Sequence, residues 1–349
     1  MKCLHASFFA FAGAVLFATP SYALSQFTPA VSSAKQGFFT QVVESPAPEG
    51  LYRIYANETC EFSYMGHPSF HSSGWSVIPS TNVFGPQPNT AGDTRNLTTY
   101  VVGKNGSTAG CLYATRQMPS SCGPSTAWPQ WSAWNDCGGY LLSMPAIANF
   151  TTYSQEFPVV EMHIFGVGLN NGLWRNVLSP GGSQSGWHPV PGAPTNLSPV
   201  VQATGFPDHV AVCVYSTSRS QYSCANYTPA GWSAWSNSPS VPGTDINGQN
   251  PPGLSQSSAS GVFNIYAYNS STLVPYMNSF DTNTGSWGTW TQFPTSPNPS
   301  FPNNTGLSAT YWWDTLQNSA SQLVCGQVSS SPSSIRCNRT VNGVWQGWF

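Results

Sequence analysis

The sequence predicts an all-β fold: a six-bladed β-propeller built from six repeats of about 54 residues, with three to four antiparallel strands each. The first observation is a tryptophan that returns at a nearly constant interval, usually at the start of a Trp-Ser-Ala-Trp element or a variant of it. These leading tryptophans are Trp75, Trp131, Trp187, Trp232, Trp287 and Trp345. The second observation is that short strand-like segments alternate with Pro, Gly and Ser, without helical periodicity.

Residues 1–23 have the features of a secretory signal peptide. Lys2 precedes an apolar run over residues 6–18, and small residues precede a predicted cleavage after Ala23. The run is too short to span a bilayer. We therefore predict a secreted, extracellular protein whose residues 24–349 form a single propeller domain. The approximate blades are 24–80, 81–139, 140–192, 193–243, 244–298 and 299–349.

Unit three shows the repeat most clearly. Residues 159–167 are typical of a strand, Asn170-Asn171-Gly172 of a hairpin turn, and residues 173–178 of the returning strand. The strand expected near residues 38–43 has two possible places: it either begins blade one or completes blade six.

Four of the repeats carry two tryptophans three positions apart, as in Trp232 and Trp235. In a regular strand such residues point to opposite faces. Since both faces of a blade are buried, we expect one indole of each pair on each side of its blade, where it would bury a large area.

The cysteine spacing predicts disulfide bonds. Of nine cysteines, Cys3 is removed with the signal peptide, and eight remain in an oxidising compartment. Equal offsets from the leading tryptophans favour the pairs Cys111–Cys122, Cys213–Cys224 and Cys325–Cys337. Cys60 and Cys137 remain, and a bridge between them across units one and two is a guess.

The composition excludes some classes of partner. Only 6% of residues are charged and no basic patch occurs, so neither nucleic acid nor an anionic membrane surface is expected as a partner. Nine Asn-X-Ser/Thr sequons predict a glycoprotein. They begin at Asn57, Asn96, Asn105, Asn149, Asn196, Asn226, Asn269, Asn303 and Asn338. The sequence leaves the oligomeric state open.

The segment from Phe165 to Trp187 resembles the repeat of the propeller lectins of bacterial insect pathogens, the Photorhabdus lectin family, and the Trp pairs are similar to those of tectonin-type lectins. This resemblance implies binding of fucose or O-methylated sugars between adjacent blades. The chain differs from the bacterial family in having six units where that family has seven, and in its cysteines. A second resemblance is to the six-bladed fungal fucose lectins, which use an Arg, a Glu and an aromatic residue.

The candidate sugar-binding residues are aromatic side chains outside the paired pattern, because an indole or phenol ring stacks on the apolar face of a sugar. They are Trp128, Trp174, Trp312, Trp313 and Tyr276, joined by Arg53, Glu61 and Trp75 if the fungal type of site is present. Each of them also has a core-packing interpretation, and Arg53 with Glu61 could equally form a cross-strand ion pair.

The sequence favours a binding protein over an enzyme. Twelve carboxylates are scattered without a repeated acidic motif, no histidines have metal-ligand spacing, and no nucleophile elbow or phosphate loop occurs. We expect no cofactor, no metal and no catalytic residue, and glycans or glycoconjugates as partners. Two alternatives stay open: a glycosylated structural propeller without a specific ligand, and a propeller glycoside hydrolase.

Overall fold

The structure is a computed structural model. It describes residues 30–34, 39–44, 55–64, 67–73, 76–80, 84, 89–93, 98–119, 121–123, 125–153, 158–205, 208–216, 221–240, 252–257, 261–268, 274–293, 306–314, 319–327, 335–341 and 343–348. The described strands form six antiparallel sheets, which we number as blades one to six in chain order. The predicted all-β propeller fold is confirmed.

The blades are consecutive meanders. Blade one contains β1 (Ala30–Ala34), β2 (Phe39–Glu44), β3 (Tyr55–Tyr64), β4 (His67–Ser72) and β5 (Ser76–Val77). Blade two contains β6 (Asn89–Asp93), β7 (Thr98–Lys104), β8 (Cys111–Gln117) and β9 (Asn135–Gly138). Blade three contains β10 (Ala146–Tyr153), β11 (Pro158–Val167), β12 (Leu173–Leu178) and β13 (His188–Pro189).

The second half of the chain repeats this plan. Blade four contains β14 (Leu197–Gly205), β15 (Val210–Ser216), β16 (Gln221–Thr228), β17 (Gly231–Trp232) and β18 (Ser236–Asn237). Blade five contains β19 (Gly253–Gln256), β20 (Val262–Tyr268), β21 (Pro275–Asp281), β22 (Ser286–Trp287) and β23 (Thr291–Gln292). Blade six contains β24 (Leu307–Asp314), β25 (Ser319–Gln327), β26 (Ile335–Val341) and β27 (Val344–Trp348). The predicted domain and blade boundaries remain predictions, although one sheet lies inside each of them.

The first strands of the six blades form a closed ring. β6, β10, β14, β19 and β24 contact one another in that order, and β1 contacts both β6 and β24. The ring therefore closes by packing of blade six against blade one. β2 pairs with β1 and β3 inside blade one, which decides between the two places open to the segment near residues 38–43.

The hydrophobic core is divided among the spaces between blades. One cluster joins Phe150 and Phe165 of blade three to Val212 of blade four. Another joins Tyr222 of blade four to Phe263 of blade five. Similar clusters join blades two and three and blades five and six, so among the described residues the interfaces between blades, and not a single central core, hold the buried apolar side chains.

The two tryptophans of a pair lie on the same side of their blade, so the prediction of opposite faces is wrong. Trp232 and Trp235 both pack against the cluster between blades three and four, with ring planes 15° apart and centroids 6.3 Å apart. The expected alternation of side chains between the two faces fails because the pairing between β16 and the segment that carries the two tryptophans is interrupted. β17 ends at Trp232 and pairing with β16 resumes only at Ser236, so the residues between them are not in an extended strand.

Two of the predicted disulfides are confirmed, and the structure contradicts the other two. Cys213–Cys224 and Cys325–Cys337 join directly opposed residues of neighbouring strands, as predicted. Cys111, however, bonds to Cys137, which excludes both Cys111–Cys122 and Cys60–Cys137. The reason is the pairing of β8 with β9, which places Cys111 opposite Gly138 and so next to Cys137.

Candidate functional site

A cavity of about 380 Å³ opens between blades two and three. We call it the 2–3 groove. Its walls are Tyr140 and Leu141 from the connection between the two blades, Leu169 and Asn170 from the loop between β11 and β12, and the indoles of Trp174 and Trp187. Gly139 and Gly168 complete the lining.

The loop between β11 and β12 positions Trp174. Gly168 N–H donates to the carbonyl of Gly172 at 3.0 Å, and Asn171 takes the left-handed conformation (φ 53°) that such a tight turn needs. Asn170 Oδ1 then accepts hydrogen bonds from Trp174 Nε1 and from Gly172 N–H, both at 3.1 Å. The Asn170 side chain therefore holds the indole of Trp174 in one orientation.

Trp187 is held from the neighbouring blade. Its Nε1–H donates a 2.7 Å hydrogen bond to the carbonyl oxygen of Cys137 in blade two. Gly139 lies so close that a Cβ there would stand 2.7 Å from Trp187 Nε1, and its φ of 78° also favours glycine. The indole of Trp187 is consequently pressed against the backbone that forms the floor of the groove.

The groove presents an aromatic and apolar surface with few polar atoms. The Tyr140 and Leu169 side chains at its rim are 53% and 68% exposed, unusually high for large hydrophobic residues of this protein. None of its lining residues is Asp, Glu, Lys, Arg or His. Since both indole N–H groups already have acceptors, the ring faces are what the groove offers to a ligand. Such a surface suits an uncharged molecule with one flat apolar face.

Of the residues predicted from the sequence to bind sugar, Trp174 lines the 2–3 groove. Trp128 packs near Arg116, whose guanidinium carbon lies 5.4 Å from the indole centroid. Tyr276 is half-buried against the cluster between blades four and five. Trp312 and Trp313 lie on β24 and Glu61 on β3, but their side chains are outside the described residues, as are Arg53 and Trp75 altogether.

Sequence reasoning missed Tyr140, Leu169 and Asn170, and treated Trp187 only as a packing residue. A signal existed for the loop, because the Asn170-Asn171-Gly172 turn places its first residues at the tip of a hairpin. No comparable signal marked Tyr140, which reaches the groove from the preceding blade.

The structure also contains a Glu–Arg–aromatic cluster of the kind sought in unit one, but between blades three and four. Arg175 stacks on Tyr227 at 4.2 Å from the ring centroid, and the pKa of Glu161 is lowered by the adjacent imidazole of His163, whose Nε2 lies 3.5 Å from Oε2, and by the positive charge of Arg175. Arg175 Nη1 is buried and has no hydrogen-bond partner among the described residues. We interpret the cluster as a packed cation–π contact between blades.

Comparison with known proteins supports the fold. No family model matches the chain, and no curated protein matches its sequence. Among solved structures, AofleA from Arthrobotrys oligospora has a TM-score of 0.62 at 11% identity, over 93% of this chain and 86% of its own. The two proteins share a β-propeller fold.

Two further solved structures show how far the similarity in fold can be used to infer function. The Aleuria aurantia lectin in complex with Fucα1-6GlcNAc has a TM-score of 0.55 at 13% identity, with 93% of this chain and 96% of that lectin covered. A Trypanosoma rangeli sialidase mutant with trans-sialidase activity has a TM-score of 0.51 at 8% identity, with 91% and 54% covered. Because lectins and an enzyme share the fold, function has to be argued from the site.

The described residues contain no group of three or more His, Cys, Asp or Glu side chains arranged to hold a metal ion. They also contain no helix long and apolar enough to cross a membrane.

Proposed function

We propose that the protein is a secreted lectin, which binds neutral sugars such as fucose or O-methylated glycans in the 2–3 groove and catalyses no reaction. The observation that carries this proposal is the pairing of two indoles, Trp174 and Trp187, whose N–H groups are already hydrogen-bonded inside the protein. Their faces are thus held in fixed positions without a ligand. Pre-ordered rings cost little conformational entropy on binding.

The chemistry of the groove matches an uncharged sugar. Pyranose rings carry C–H groups on one face, which pack on an indole, and hydroxyls at the edge, which need hydrogen-bond partners. Asn170 lies at that edge; its Oδ1 is occupied, and no described residue accepts a hydrogen bond from its Nδ2. The absence of charge from the lining favours a neutral ligand over an acidic sugar.

The fold likeness supports this proposal, because the Aleuria aurantia lectin binds a fucosylated disaccharide on the same architecture. Grooves at other blade junctions would make binding multivalent and raise the avidity for a glycan-coated surface. Secretion is supported by the disulfides, since such bonds persist in oxidising compartments.

The 2–3 groove does not suit a glycosidase. Glycoside hydrolysis generally needs two carboxyl groups that flank the scissile bond, and the lining of the groove contains none. The remaining alternative is a structural propeller without a specific ligand. It is less favoured because it gives no reason for Leu169 and Tyr140 to remain exposed beside two ordered indoles.

The decisive experiment is a glycan array with the purified protein, followed by titration calorimetry on the best ligand. Trp174→Ala should weaken binding at least about tenfold, a loss near 1.4 kcal/mol, because the stacking face disappears. Trp174→Phe, which retains a ring, should weaken binding less.

A matched pair of variants tests the location of the site. Leu169 and Val344 are exposed to similar extents, 68% and 63%, but Val344 lies on β27 of blade six, away from the groove. Leu169→Ala should lower the affinity and Val344→Ala should not. A folded protein that binds no glycan on the array would contradict the lectin proposal and favour the structural alternative.

A further inference from the structure

A second cavity, of about 310 Å³, lies between blades four and five, and we call it the 4–5 cavity. Its lining is mostly polar. It includes Asp208 from the turn between β14 and β15, Asn226 and Thr228 from β16, Trp232 from β17, and Thr282 from the turn after β21. The two cavities therefore differ in chemistry as well as in position.

The 4–5 cavity opens on the opposite face of the propeller from the 2–3 groove. The groove is built from the loop between the second and third strands of blade three and from the connection into that blade. The 4–5 cavity is built from turns between first and second strands and between third and fourth strands. Because consecutive strands are antiparallel, these two sets of turns lie at opposite ends of the blades.

Asn226 supplies an unused buried acceptor to this cavity. Its side chain is 5% exposed, and its Oδ1 is buried without a hydrogen-bond partner. The backbone of Asn226 is satisfied: its N–H donates to Ser233 Oγ at 2.9 Å, and its carbonyl accepts from Ser233 N–H at 2.8 Å. Burying an acceptor without a donor is costly. A rotation of the Asn226 side chain toward the cavity, where a ligand donates a hydrogen bond to Oδ1, would remove that cost.

The charge in the cavity is negative. Asp208 is 72% exposed and its Oδ1 accepts a 2.6 Å hydrogen bond from His209 Nδ1. Burial lowers the pKa of His209, so this histidine is neutral at neutral pH and does not compensate the carboxylate. No Lys or Arg lines the cavity. The cavity therefore favours a ligand with a positive charge.

We propose that the 4–5 cavity binds a protonated amino sugar, with its ammonium group recognised by Asn226 Oδ1 and the Asp208 carboxylate. An ammonium group donates up to three hydrogen bonds, and the hydroxyls of a pyranose ring match the side-chain hydroxyls of Thr228, Ser233 and Thr282 in the lining. The protein would then hold a neutral sugar on one face and a cationic sugar on the other.

The test is calorimetric titration with D-glucosamine at about pH 7, where His209 is neutral and most of the amine is protonated. N-acetyl-D-glucosamine has the same ring without the charge and should bind at least about tenfold more weakly, because charge-assisted hydrogen bonds are the stronger ones. Asp208→Asn should weaken glucosamine binding about tenfold. Asp136→Asn, which removes an exposed carboxylate from blade two, is the matched control and should have no effect.

Asn226→Leu separates a binding role from a purely structural one. Replacement of a buried unsatisfied amide by an apolar side chain of similar size is expected to leave the thermal midpoint unchanged or to raise it, whereas glucosamine binding should be lost. Trp174→Ala should leave glucosamine binding intact, which distinguishes this site from the 2–3 groove. The proposal is overturned if glucosamine does not bind, if the acetylated sugar binds equally well, or if neither Asp208→Asn nor Asn226→Leu weakens binding.

Discussion

The indole Nε1–H of Trp290 in blade five donates a 2.8 Å hydrogen bond to the carbonyl oxygen of Pro239, just beyond the last strand of blade four. The same kind of bond, from a repeated tryptophan to the preceding blade, joins Trp235 to Pro191 and Trp287 to Ser236. In these tryptophans and in Trp187 the ring fills the interface while its N–H satisfies an acceptor across it. The indole N–H groups of Trp131 and Trp134 in blade two are instead buried without an acceptor.

Trp290→Phe should lower the free energy of unfolding by about 1–2 kcal/mol, because the carbonyl of Pro239 loses its donor while most apolar contacts remain. Urea denaturation followed by fluorescence measures the loss. Trp345→Phe is the control, since among the described residues no acceptor meets the Trp345 indole N–H, and its ring packs against Phe293. An equal loss of stability in both variants would show that the hydrogen bond is unimportant.

Gly168→Ala should reduce sugar binding in the 2–3 groove without unfolding the protein. A Cβ at residue 168 would lie 2.8 Å from Cδ1 and Nε1 of Trp174, so the indole must move. We expect at least about a tenfold weaker affinity in calorimetry, equivalent to roughly 1.4 kcal/mol. Gly123→Ala is a suitable control, because a Cβ there meets only Thr126 Oγ1, at 3.9 Å. Unchanged binding by Gly168→Ala would argue that Trp174 does not contact the ligand.

His163 should make the protein less stable in mild acid. The side chain is 1% exposed between Phe150 and Tyr227, and the charged groups that face it are Glu161, 3.5 Å away, and Arg175. Burial lowers its pKa below that of the unfolded chain. The unfolded state therefore binds more protons between the two pKa values, so stability is complete above about pH 6.5 and falls as the pH drops toward the folded-state pKa.

Urea midpoints measured from pH 8 down to about pH 5 test this dependence. In His163→Phe, stability should depend less on pH than in the wild type, because phenylalanine does not bind a proton and therefore never places a positive charge in the core. His209, whose pKa is also lowered by burial, should account for part of the remaining slope. Parallel profiles for the wild type and His163→Phe would contradict the prediction.

Peptide mapping without reduction should recover Cys111 linked to Cys137. Cys122 is also disulfide-bonded, and with six cysteines in the three bridges described above, Cys3 and Cys60 are its remaining candidate partners. Because Cys3 lies in the predicted signal peptide, we expect a Cys60–Cys122 peptide from the secreted protein. Recovery of Cys111 linked to Cys122 would contradict the strand pairing of blade two.

The fraction of each sequon that carries a glycan should be low where its asparagine is buried and high where it is exposed. Asn338 has no exposed surface, and its Oδ1 accepts a hydrogen bond from Gly347 N–H at 3.0 Å, while Asn226 is 5% exposed. Neither leaves room for an attached glycan. Asn196 is exposed before β14 and is expected to be modified. Glycopeptide mass spectrometry after expression in a eukaryotic host measures the occupancy; a modified Asn226 would also block the 4–5 cavity.

The sequence predicted the propeller because its signals are local: a recurring tryptophan, and turns such as Asn170-Asn171-Gly172 that mark hairpins. It failed for Cys111 because equal spacing does not report register. Cys213 and Cys224 face each other across two neighbouring strands. In blade two, residues 118–134 separate β8 from β9, so Cys122 lies outside both strands, whereas Cys137 on β9 is adjacent to the residue that pairs with Cys111.

The site was harder to predict than the fold. Trp174 was recognisable as an aromatic residue beside a turn, but Tyr140 and Leu169 meet in the groove only because two blades pack at a particular angle. That angle depends on side-chain volumes across the whole interface, and no pattern within either blade encodes it. The same limit applies to Asp208 and Asn226, which are brought together with Thr282 of the next blade.

The contact between β1 and β24 has a consequence for how the chain is made. These two strands are almost three hundred residues apart in sequence, yet they are neighbours in the ring. Blades one to five can pack on one another while the chain is being synthesised. The side of β1 that contacts β24 is covered only after residues 307–314 have been made. The last step of folding is therefore a long-range encounter, slow and exposed to aggregation in the way that distant β contacts generally are.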